Sequence, residues 1–337
     1  MLKIATLSLV FLITGLAVGS AQADESQLNF AQRDSVQTYV KQISAEHNLD
    51  PVRIAAYFNE ISSQESILEA ISQPAERRLQ WREYRPIFIT QRRIDEGKAF
   101  MAEHSALLAQ AEARFGVPAA VITSIIGVET YYGRITGSFG VLEALATLAF
   151  DYPPRAGFFK REMTEFILLS EKEGWDTVNL KGSYAGAMGM PQFISSSYRA
   201  YAVDFDRDGK RNLFDNHADV IGSVANYLNR HGWVRGAAIA EQWVPQNGIG
   251  QDMRELVSRS LKPVIDPARL SALGFDSDSL RSAERANSTV SVMTMQADEG
   301  EQLWVGYRNF YAITRYNHSR LYALAVYQLS EAIRPGT

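Results

Sequence analysis

The sequence predicts a mainly α-helical protein with a small β module. In residues 28–115 apolar side chains recur three and four positions apart, as at Val36, Tyr39 and Ile43, and this spacing is typical of amphipathic helices. Residues 236–310 differ, because short β-favouring runs alternate there with Gly, Pro, Asn and Asp. The 337 residues are 46% apolar and 21% charged, which fits a globular protein with a large buried core.

The first 23 residues have the pattern of a secretory signal peptide. Lys3 provides a positive start, residues 4–18 are almost entirely apolar, and Ala21-Gln22-Ala23 is a small-x-small cleavage pattern. The apolar run is too short to span a membrane. We therefore expect an exported protein that is cleaved after Ala23.

The region that follows, residues 24–115, is predicted to be helical. Asp50 and Pro51 suit the N-cap and the first position of a helix. A single long helix is predicted over Gln91–Phe115, and residues 85–88 are predicted to be an extended connection because they contain a proline.

Composition excludes several kinds of site. The chain has no cysteine, which rules out disulfides, thiolate zinc sites and a lipid anchor on an N-terminal cysteine. Its five histidines form no HExxH pair. The net charge of −4 does not suit nucleic-acid binding. We expect no membrane anchor, no nucleic-acid partner and no organic cofactor.

Glu129 is the strongest candidate for a catalytic acid. It lies in the segment VPAAVITSIIGVETYYGR, four residues after Ile125 and seven after Ile122, so helical spacing places it on the apolar stripe. The helix is predicted to end near Gly133. Burial is expected to raise the pKa of this carboxyl, as a general acid for glycoside cleavage requires. The alternative is a salt bridge between Glu129 and an arginine such as Arg134.

A glycine-rich segment, GSYAGAMGMPQF at residues 182–193, has the composition of a sugar-binding groove. Its small residues permit close approach of the backbone. Ser183 and Gln192 offer hydrogen bonds, while Met190 and Phe193 offer apolar walls, which together suit an acetamido sugar. A tight helix-packing loop is the alternative.

The segment DFDRDGKRNLFD at residues 204–215 has the pattern of an EF-hand calcium loop. The candidate ligands at positions 1, 3, 5 and 7 are Asp204, Asp206, Asp208 and the backbone carbonyl of Lys210. Asp215 stands where a bidentate Glu is usual, and Asp219 is a second candidate for the closing ligand. We predict a structural Ca²⁺ here, with a solvated acidic turn as the alternative.

Five motifs in order resemble those of the lytic murein transglycosylase B family, in particular the branch whose soluble form carries an EF-hand-like site. The resemblance covers most of the mature chain. The motifs are GVETYYGR at 127–134, LATLAFDYPPRAGFF at 145–159, GSYAGAMGMPQF at 182–193, DVIGSVANYLNRHGW at 219–233 and AITRYNHSRLYALAV at 312–326.

The resemblance implies a lysozyme-like helical catalytic core at 116–235 that includes the EF-hand-like loop. The residues themselves predict a small mixed α/β insert at 236–310 and a C-terminal helix, within 311–337, that returns to the core. Glu129 matches the family's catalytic Glu. Residues that match substrate-binding positions of the cleft are Ser183, Gln192, Tyr227, Tyr316 and Asn317. The sequence departs from the family in having Met190-Pro191 before Gln192, where a Gly often stands, and one extra residue between Asp215 and Asp219.

The function implied is that of a soluble, periplasmic lytic transglycosylase acting on the glycan strands of peptidoglycan, with other cell-wall enzymes as candidate partners. Such an enzyme cleaves the bond between N-acetylmuramic acid and N-acetylglucosamine and leaves 1,6-anhydro ends. Glycosidases normally use two carboxylates, and Asp151 is the nearest second candidate. A hydrolytic muramidase and a non-catalytic, calcium-stabilised wall-binding protein remain as alternatives.

Overall fold

The computed structural model describes residues 28–73, 78–258, 260–334 and 336. The predicted signal peptide lies outside these residues. Helices account for most of what is described, which confirms the predicted fold class.

The helices follow one another in short segments joined by turns. In chain order they are α1 (Asp34–His47), α2 (Pro51–Tyr57), α3 (Glu65–Ser72), α4 (Trp81–Phe88), α5 (Gln91–Glu103), α6 (Ser105–Phe115), α7 (Ala119–Thr130), α8 (Val141–Phe150), α9 (Ala156–Glu173), α10 (Ser195–Tyr201), α11 (His217–Arg230), α12 (Gln251–Leu256), α13 (Pro267–Ala272), α14 (Asp278–Arg285), α15 (Arg308–Tyr316) and α16 (Arg320–Ile333).

Two small antiparallel sheets accompany these helices. Strands β1 (Phe139–Gly140) and β2 (Lys181–Gly182) form one pair. Strands β3 (Ala240–Trp243), β4 (Ser291–Ala297) and β5 (Gly300–Gly306) form a three-stranded sheet in the order β3-β5-β4. The second sheet lies within residues 236–310, where the sequence predicts β-favouring runs.

The start of α2 follows the sequence prediction. The Asp50 side chain caps the helix by accepting a hydrogen bond from the Val52 N–H at 2.9 Å, and Pro51 occupies the first turn. Proline is tolerated there because its missing N–H has no partner within the helix.

The predicted extended connection at residues 85–88 is wrong, because these residues belong to α4. The helix begins with a capping box in which the Glu83 carboxylate accepts from the Gln80 N–H at 2.8 Å. Trp81 and Tyr84 bury one face, each being 2% exposed. Pro86 comes late enough in α4 that the cap and the buried face outweigh its missing hydrogen bond.

The single helix predicted over Gln91–Phe115 is also wrong, because it is divided into α5 and α6. His104 interrupts it with φ −103° and ψ 22°. The His104 ring lies 4.4 Å from the His217 ring in a stacked arrangement and 4.4 Å from Phe100 edge-on. These tertiary contacts favour a non-helical backbone at His104.

The main core surrounds α7. Its stripe residues Ile122, Ile125 and Ile126 are fully buried, and α7 packs against α16, α5 and α11. A second cluster of buried residues, including Trp243 and Leu270, lies around the three-stranded sheet. The domain boundaries at 115, 235 and 310 stay a prediction.

Within the described residues no single helix has the length and apolar character needed to cross a membrane; only α6 and α7 together, bent by 112°, meet that criterion.

Candidate active site

Glu129 lies in the last turn of α7. The helix ends at Thr130 because Tyr131 adopts a left-handed conformation with φ 54°, and it therefore ends earlier than Gly133. Glu129 is half-buried at the end of a helix whose apolar stripe is fully buried. Glu129 is therefore partly exposed, while the rest of its helix face is buried.

A tyrosine of the C-terminal helix holds the Glu129 carboxyl in place. The Tyr322 hydroxyl donates a hydrogen bond to Oε1 of Glu129 at 2.5 Å, across 193 positions of sequence. Burial raises the pKa of Tyr322 well above its ordinary value, and the nearby negative charge of Glu129 raises it further. Tyr322 therefore stays protonated and acts as a donor.

Tyr316 lies next to this pair. Its ring stacks on that of Tyr322 with centroids 6.4 Å apart and 13° between the planes. Burial raises its pKa well above the ordinary value, and the charge of Glu129 adds to the rise. The Tyr316 hydroxyl donates to the Pro191 carbonyl at 2.5 Å, which joins the C-terminal helices to the glycine-rich segment.

The glycine-rich segment is bonded directly to the end of α7. The Thr130 hydroxyl donates to the Met190 carbonyl at 2.8 Å, and the Met190 N–H donates to the Leu213 carbonyl at 2.8 Å. At Gly189, with φ 68°, a Cβ would lie 2.3 Å from the Leu213 carbonyl oxygen. Only glycine permits this approach.

Ser183 and Gln192 use part of their hydrogen-bonding capacity inside the segment. The Ser183 hydroxyl oxygen accepts from the N–H groups of Ala185 and Ala187 at 3.3 and 3.0 Å. The Gln192 amide donates to the carbonyls of Thr136 and Gly189 at 3.0 and 2.9 Å, with its own backbone at φ 50°. Both side chains are thereby held in defined positions.

An aromatic wall stands beside these residues. Phe193, Tyr227 and Tyr316 lie with ring centroids 4.7 to 5.8 Å apart, and the His231 ring stacks on Tyr227 at 4.0 Å. The Tyr227 hydroxyl donates to the Arg315 carbonyl at 2.5 Å. Flat apolar surfaces of this kind suit the faces of sugar rings.

A cleft of about 1240 Å³ runs along this wall. The predicted residues that line it are Gln192, Phe193, Tyr227, Tyr316 and Asn317. Ser183, Met190 and Glu129 are not among the lining residues; Glu129 is linked to the cleft through Tyr322 and the Tyr316 ring.

Arg134 and Asp151, the two residues that the sequence offers as alternative partners of Glu129, each pair with a different residue. Arg134 forms its ion pair with Glu96 at 2.7 Å. Asp151 accepts hydrogen bonds from Arg33 at 2.7 Å and from Ser63 at 2.6 Å, in a buried structural ion pair. The lining of the cleft contains no Asp or Glu among the residues described.

Comparison with known proteins decides the family. The family described as "Transglycosylase SLT domain" matches residues 31–331, nearly the whole described chain. The chain belongs to the peptidoglycan lytic transglycosylase family.

Comparison with individual relatives supports the same family. The transglycosylase is 38% identical over 315 residues to the membrane-bound lytic murein transglycosylase B of Escherichia coli, covering 90% of this chain and 84% of the relative. It resembles the structure of soluble lytic transglycosylase SltB1 from Pseudomonas aeruginosa with 45% identity and a TM-score of 0.82, covering 89% of this chain and 98% of the other. The E. coli lytic transglycosylase Slt35, solved in complex with calcium, has 37% identity and a TM-score of 0.80, with 93% and 97% covered.

The acidic loop of the transglycosylase brings three carboxylates together. One oxygen each from Asp204, Asp206 and Asp219 lies within 4.8 Å of the others. Asp219 is fully buried on the first turn of α11, and it accepts from the N–H groups of Phe205 and Asn212, both at 2.7 Å. Burial raises the pKa of Asp219, and the charges of Asp206 and Asp204 add to the rise.

The carboxylates of Asp208 and Asp215 are not part of this group of three, although the Asp208 N–H donates to Asp204 and Asp206 at 3.0 and 3.2 Å. Asp208 accepts from the Lys210 N–H at 2.8 Å, and both residues are exposed. Asp215 is exposed and accepts a hydrogen bond from the Asn212 amide. Of the two candidates for the closing ligand, Asp219 is the one grouped with Asp204 and Asp206.

Sequence reasoning missed Tyr322. It lies within the motif at 312–326, but no spacing rule connects a tyrosine on α16 with a glutamate on α7. Only the packing of these two helices reveals the contact.

Proposed function

We propose that this transglycosylase cleaves the β-1,4 bond between N-acetylmuramic acid and N-acetylglucosamine, leaves 1,6-anhydro-muramoyl ends, and uses Glu129 as its single acid and base. One observation carries the proposal. A carboxyl held by Tyr322 lies beside a cleft whose described lining contains no second carboxylate. A reaction that needs only one acid fits this arrangement better than the usual pair of carboxylates.

In the proposed reaction, protonated Glu129 donates its proton to the glycosidic oxygen, and the C1–O bond breaks. The substrate's acetamido oxygen stabilises C1, where positive charge develops. Glu129, now ionised, removes the proton from the C6 hydroxyl of the muramoyl residue as that oxygen bonds to C1. The proton returns to Glu129, and no water is consumed.

The substrate-binding roles predicted from sequence form part of this proposal. Gln192 and Asn317 offer polar contacts to acetamido groups, and the rings of Phe193, Tyr227 and Tyr316 offer faces for the sugars. Ser183 and Met190 keep their predicted substrate-binding roles in this proposal, although neither is among the residues that line the cleft.

We also propose a structural Ca²⁺ at Asp204, Asp206 and Asp219. The fit rests on the donors, since carboxylate oxygens are what Ca²⁺ prefers and three of them so close together repel one another without a cation. Support also comes from the calcium complex of Slt35. A bound ion would neutralise this loop and fix the first turn of α11, the helix that carries Tyr227.

The proposed setting is the periplasm. The signal-peptide pattern at residues 1–23 supports export, and the E. coli relative is named for its action on murein. The proposed partner is the glycan strand, which binds to the core at 116–235. The insert at 236–310 also contributes to the cleft, since Thr294, Met295 and Gln296 are among its lining residues. Other cell-wall enzymes stay candidate partners.

The test is Glu129→Gln, with the exposed Glu255→Gln as a matched control. Mass spectrometry of digested peptidoglycan separates the two enzymatic outcomes, because a hydrolysed end is heavier than an anhydro end by one water. The proposal requires anhydro ends from wild type and the control, and none from Glu129→Gln. Reducing ends alone would instead identify a muramidase.

A further inference from the structure

The turn that follows Glu129 has a strained backbone. Tyr131 and Tyr132, two consecutive residues with side chains, have φ angles of 54° and 59°. The left-handed conformation costs roughly 1–2 kcal/mol for each L-residue, so it persists only where the surrounding structure enforces it. These residues are the second and third after Glu129. Whatever enforces their conformation therefore also fixes the backbone that carries the carboxyl.

The Tyr132 side chain lies between two helices at a place where each of them has a glycine. A Cβ at Gly127 on α7 would lie 2.6 Å from ring carbons of Tyr132, and a Cβ at Gly97 on α5 would lie 2.4 Å from its hydroxyl oxygen. Real Cβ contacts are not this short. Tyr132 thus forms a wedge between α5 and α7, and Gly127 lies only two residues before Glu129.

Arg93 of α5 holds both strained tyrosines. Its carbonyl accepts a hydrogen bond from the Tyr132 hydroxyl at 2.8 Å, and its guanidinium lies 4.4 Å from the centre of the Tyr131 ring. Burial raises the pKa of the Tyr132 hydroxyl above its ordinary value, so the hydroxyl stays protonated and donates. The Arg93 guanidinium is itself fixed, because it donates to the Ile87 carbonyl at 2.5 Å.

The carboxyl carried by this backbone has a specific partner, the Tyr322 hydroxyl at 2.5 Å from Oε1 of Glu129. We propose that Tyr132 is a positioning residue, whose wedge sets the turn after Glu129 so that the carboxyl meets both Tyr322 and the bond to be cleaved. Tyr132 acts through the backbone, since it is not among the residues that line the cleft. This inference rests on the proposed role of Glu129 as the acid.

Gly97→Ala is the sharpest perturbation, because it displaces the wedge while leaving Tyr132 and the cleft lining unchanged. We expect kcat to fall by about 10- to 100-fold, the effect of misplacing a catalytic group by about an ångström. KM should change little. Tyr132→Phe keeps the ring of the wedge and should lower kcat by about fivefold or less, as expected for the loss of one neutral hydrogen bond.

Combining the two substitutions isolates the contribution of the wedge. Once the Tyr132 hydroxyl is removed, the closest ring atom to a Cβ at Gly97 is 3.1 Å away, so Gly97→Ala should lower kcat much less in the Tyr132→Phe background than in the wild type. The Cβ also approaches the end methyl of Ile333 to 2.9 Å, and this contact contributes equally in both backgrounds.

The matched control is Tyr39→Phe. It removes a buried tyrosine hydroxyl that shares a hydrogen bond with Thr164 at 2.9 Å, on a helix that does not contact the wedge. In the Tyr39→Phe background, Gly97→Ala should keep its full effect on kcat. Each variant is assayed well below its own Tm, so that unfolding does not contribute to the measured rates.

The rate is measured over a range of substrate concentrations and counts all new glycan ends, both anhydro and reducing. An equal loss of kcat from Gly97→Ala in all backgrounds, or a loss confined to KM, would overturn the positioning role. If circular dichroism shows that Gly97→Ala does not fold, Tyr132→Leu takes its place. It removes the ring and should lower kcat further than Tyr132→Phe, and equal kcat values for these two variants would overturn the proposal.

A failure of the proposed function would appear elsewhere, in the identity of the products. Hydrolysed ends from the wild type would contradict the single acid and base mechanism, while the comparison of kcat values would still report on the wedge.

Discussion

Replacing Tyr322 by Phe removes the hydroxyl that donates to Glu129 while keeping the ring that stacks on Tyr316. The site is 2% exposed, so water does not readily replace the lost donor. A hydrogen bond to a charged group contributes about 1.5–3 kcal/mol. If that energy positions the carboxyl in the transition state, kcat falls by about 10- to 150-fold. KM should change little, because Tyr322 does not line the cleft.

The assay is the rate at which soluble fragments are released from insoluble peptidoglycan, measured over a range of substrate concentrations. Tyr327→Phe is the matched control, because it removes a tyrosine hydroxyl from the same helix at a half-buried position away from Glu129. A Tyr322→Phe enzyme with wild-type kcat, or one whose loss appears only in KM, would refute the positioning role.

Three further predictions concern stability. Calcium should raise the Tm of the wild type relative to chelator, and Asp219→Asn should remove most of that increase; no increase at millimolar Ca²⁺ would contradict the site. Burial lowers the pKa of His231 in the folded protein, so below a pH of about 6.5 the unfolded chain binds more protons than the folded one. The Tm of the wild type should therefore decline as the pH falls below this value. The Tm of His231→Gln should decline less steeply. In urea unfolding, Gly189→Ala should lower the free energy of unfolding by more than the roughly 1–2 kcal/mol of left-handed strain, because its Cβ meets the Leu213 carbonyl. Gly174→Ala has open space around its Cβ and should show the strain alone.

The sequence alone is sufficient to predict those parts of the structure that depend on neighbouring residues. The Asp50 cap, the buried stripe of α7 and the strands β4 and β5 follow from residue type and spacing alone. Each of these features needs contacts within a few positions, or a periodic face that any core would bury.

Prediction fails where distant residues decide the backbone. The break at His104 depends on its stacking with His217, which lies more than a hundred positions away. The helix through Pro86 depends on burial of Trp81 and Tyr84, which outweighs the usual effect of proline. The stacking with His217 has no signal in the local sequence, whereas the capping box and the helical spacing of Trp81 and Tyr84 are local signals that the prediction gave less weight than the proline.

The candidate site shows the same division. The apolar stripe and the ordered motifs are enough to select Glu129, and the EF-hand spacing selects Asp204 and Asp206. The sequence leaves the closing carboxylate open between Asp215 and Asp219, since the fold alone decides which one approaches the loop. It does not select Tyr322, because that contact arises from helix packing.

The most direct test of the central claim is digestion of peptidoglycan in water enriched in the heavy isotope of oxygen. If Glu129 removes the proton from the muramoyl C6 hydroxyl and that oxygen bonds to C1, the new ends are anhydro sugars without heavy oxygen. Muramoyl ends that carry the heavy isotope would show that water attacks C1, and would contradict the single acid–base mechanism proposed for Glu129.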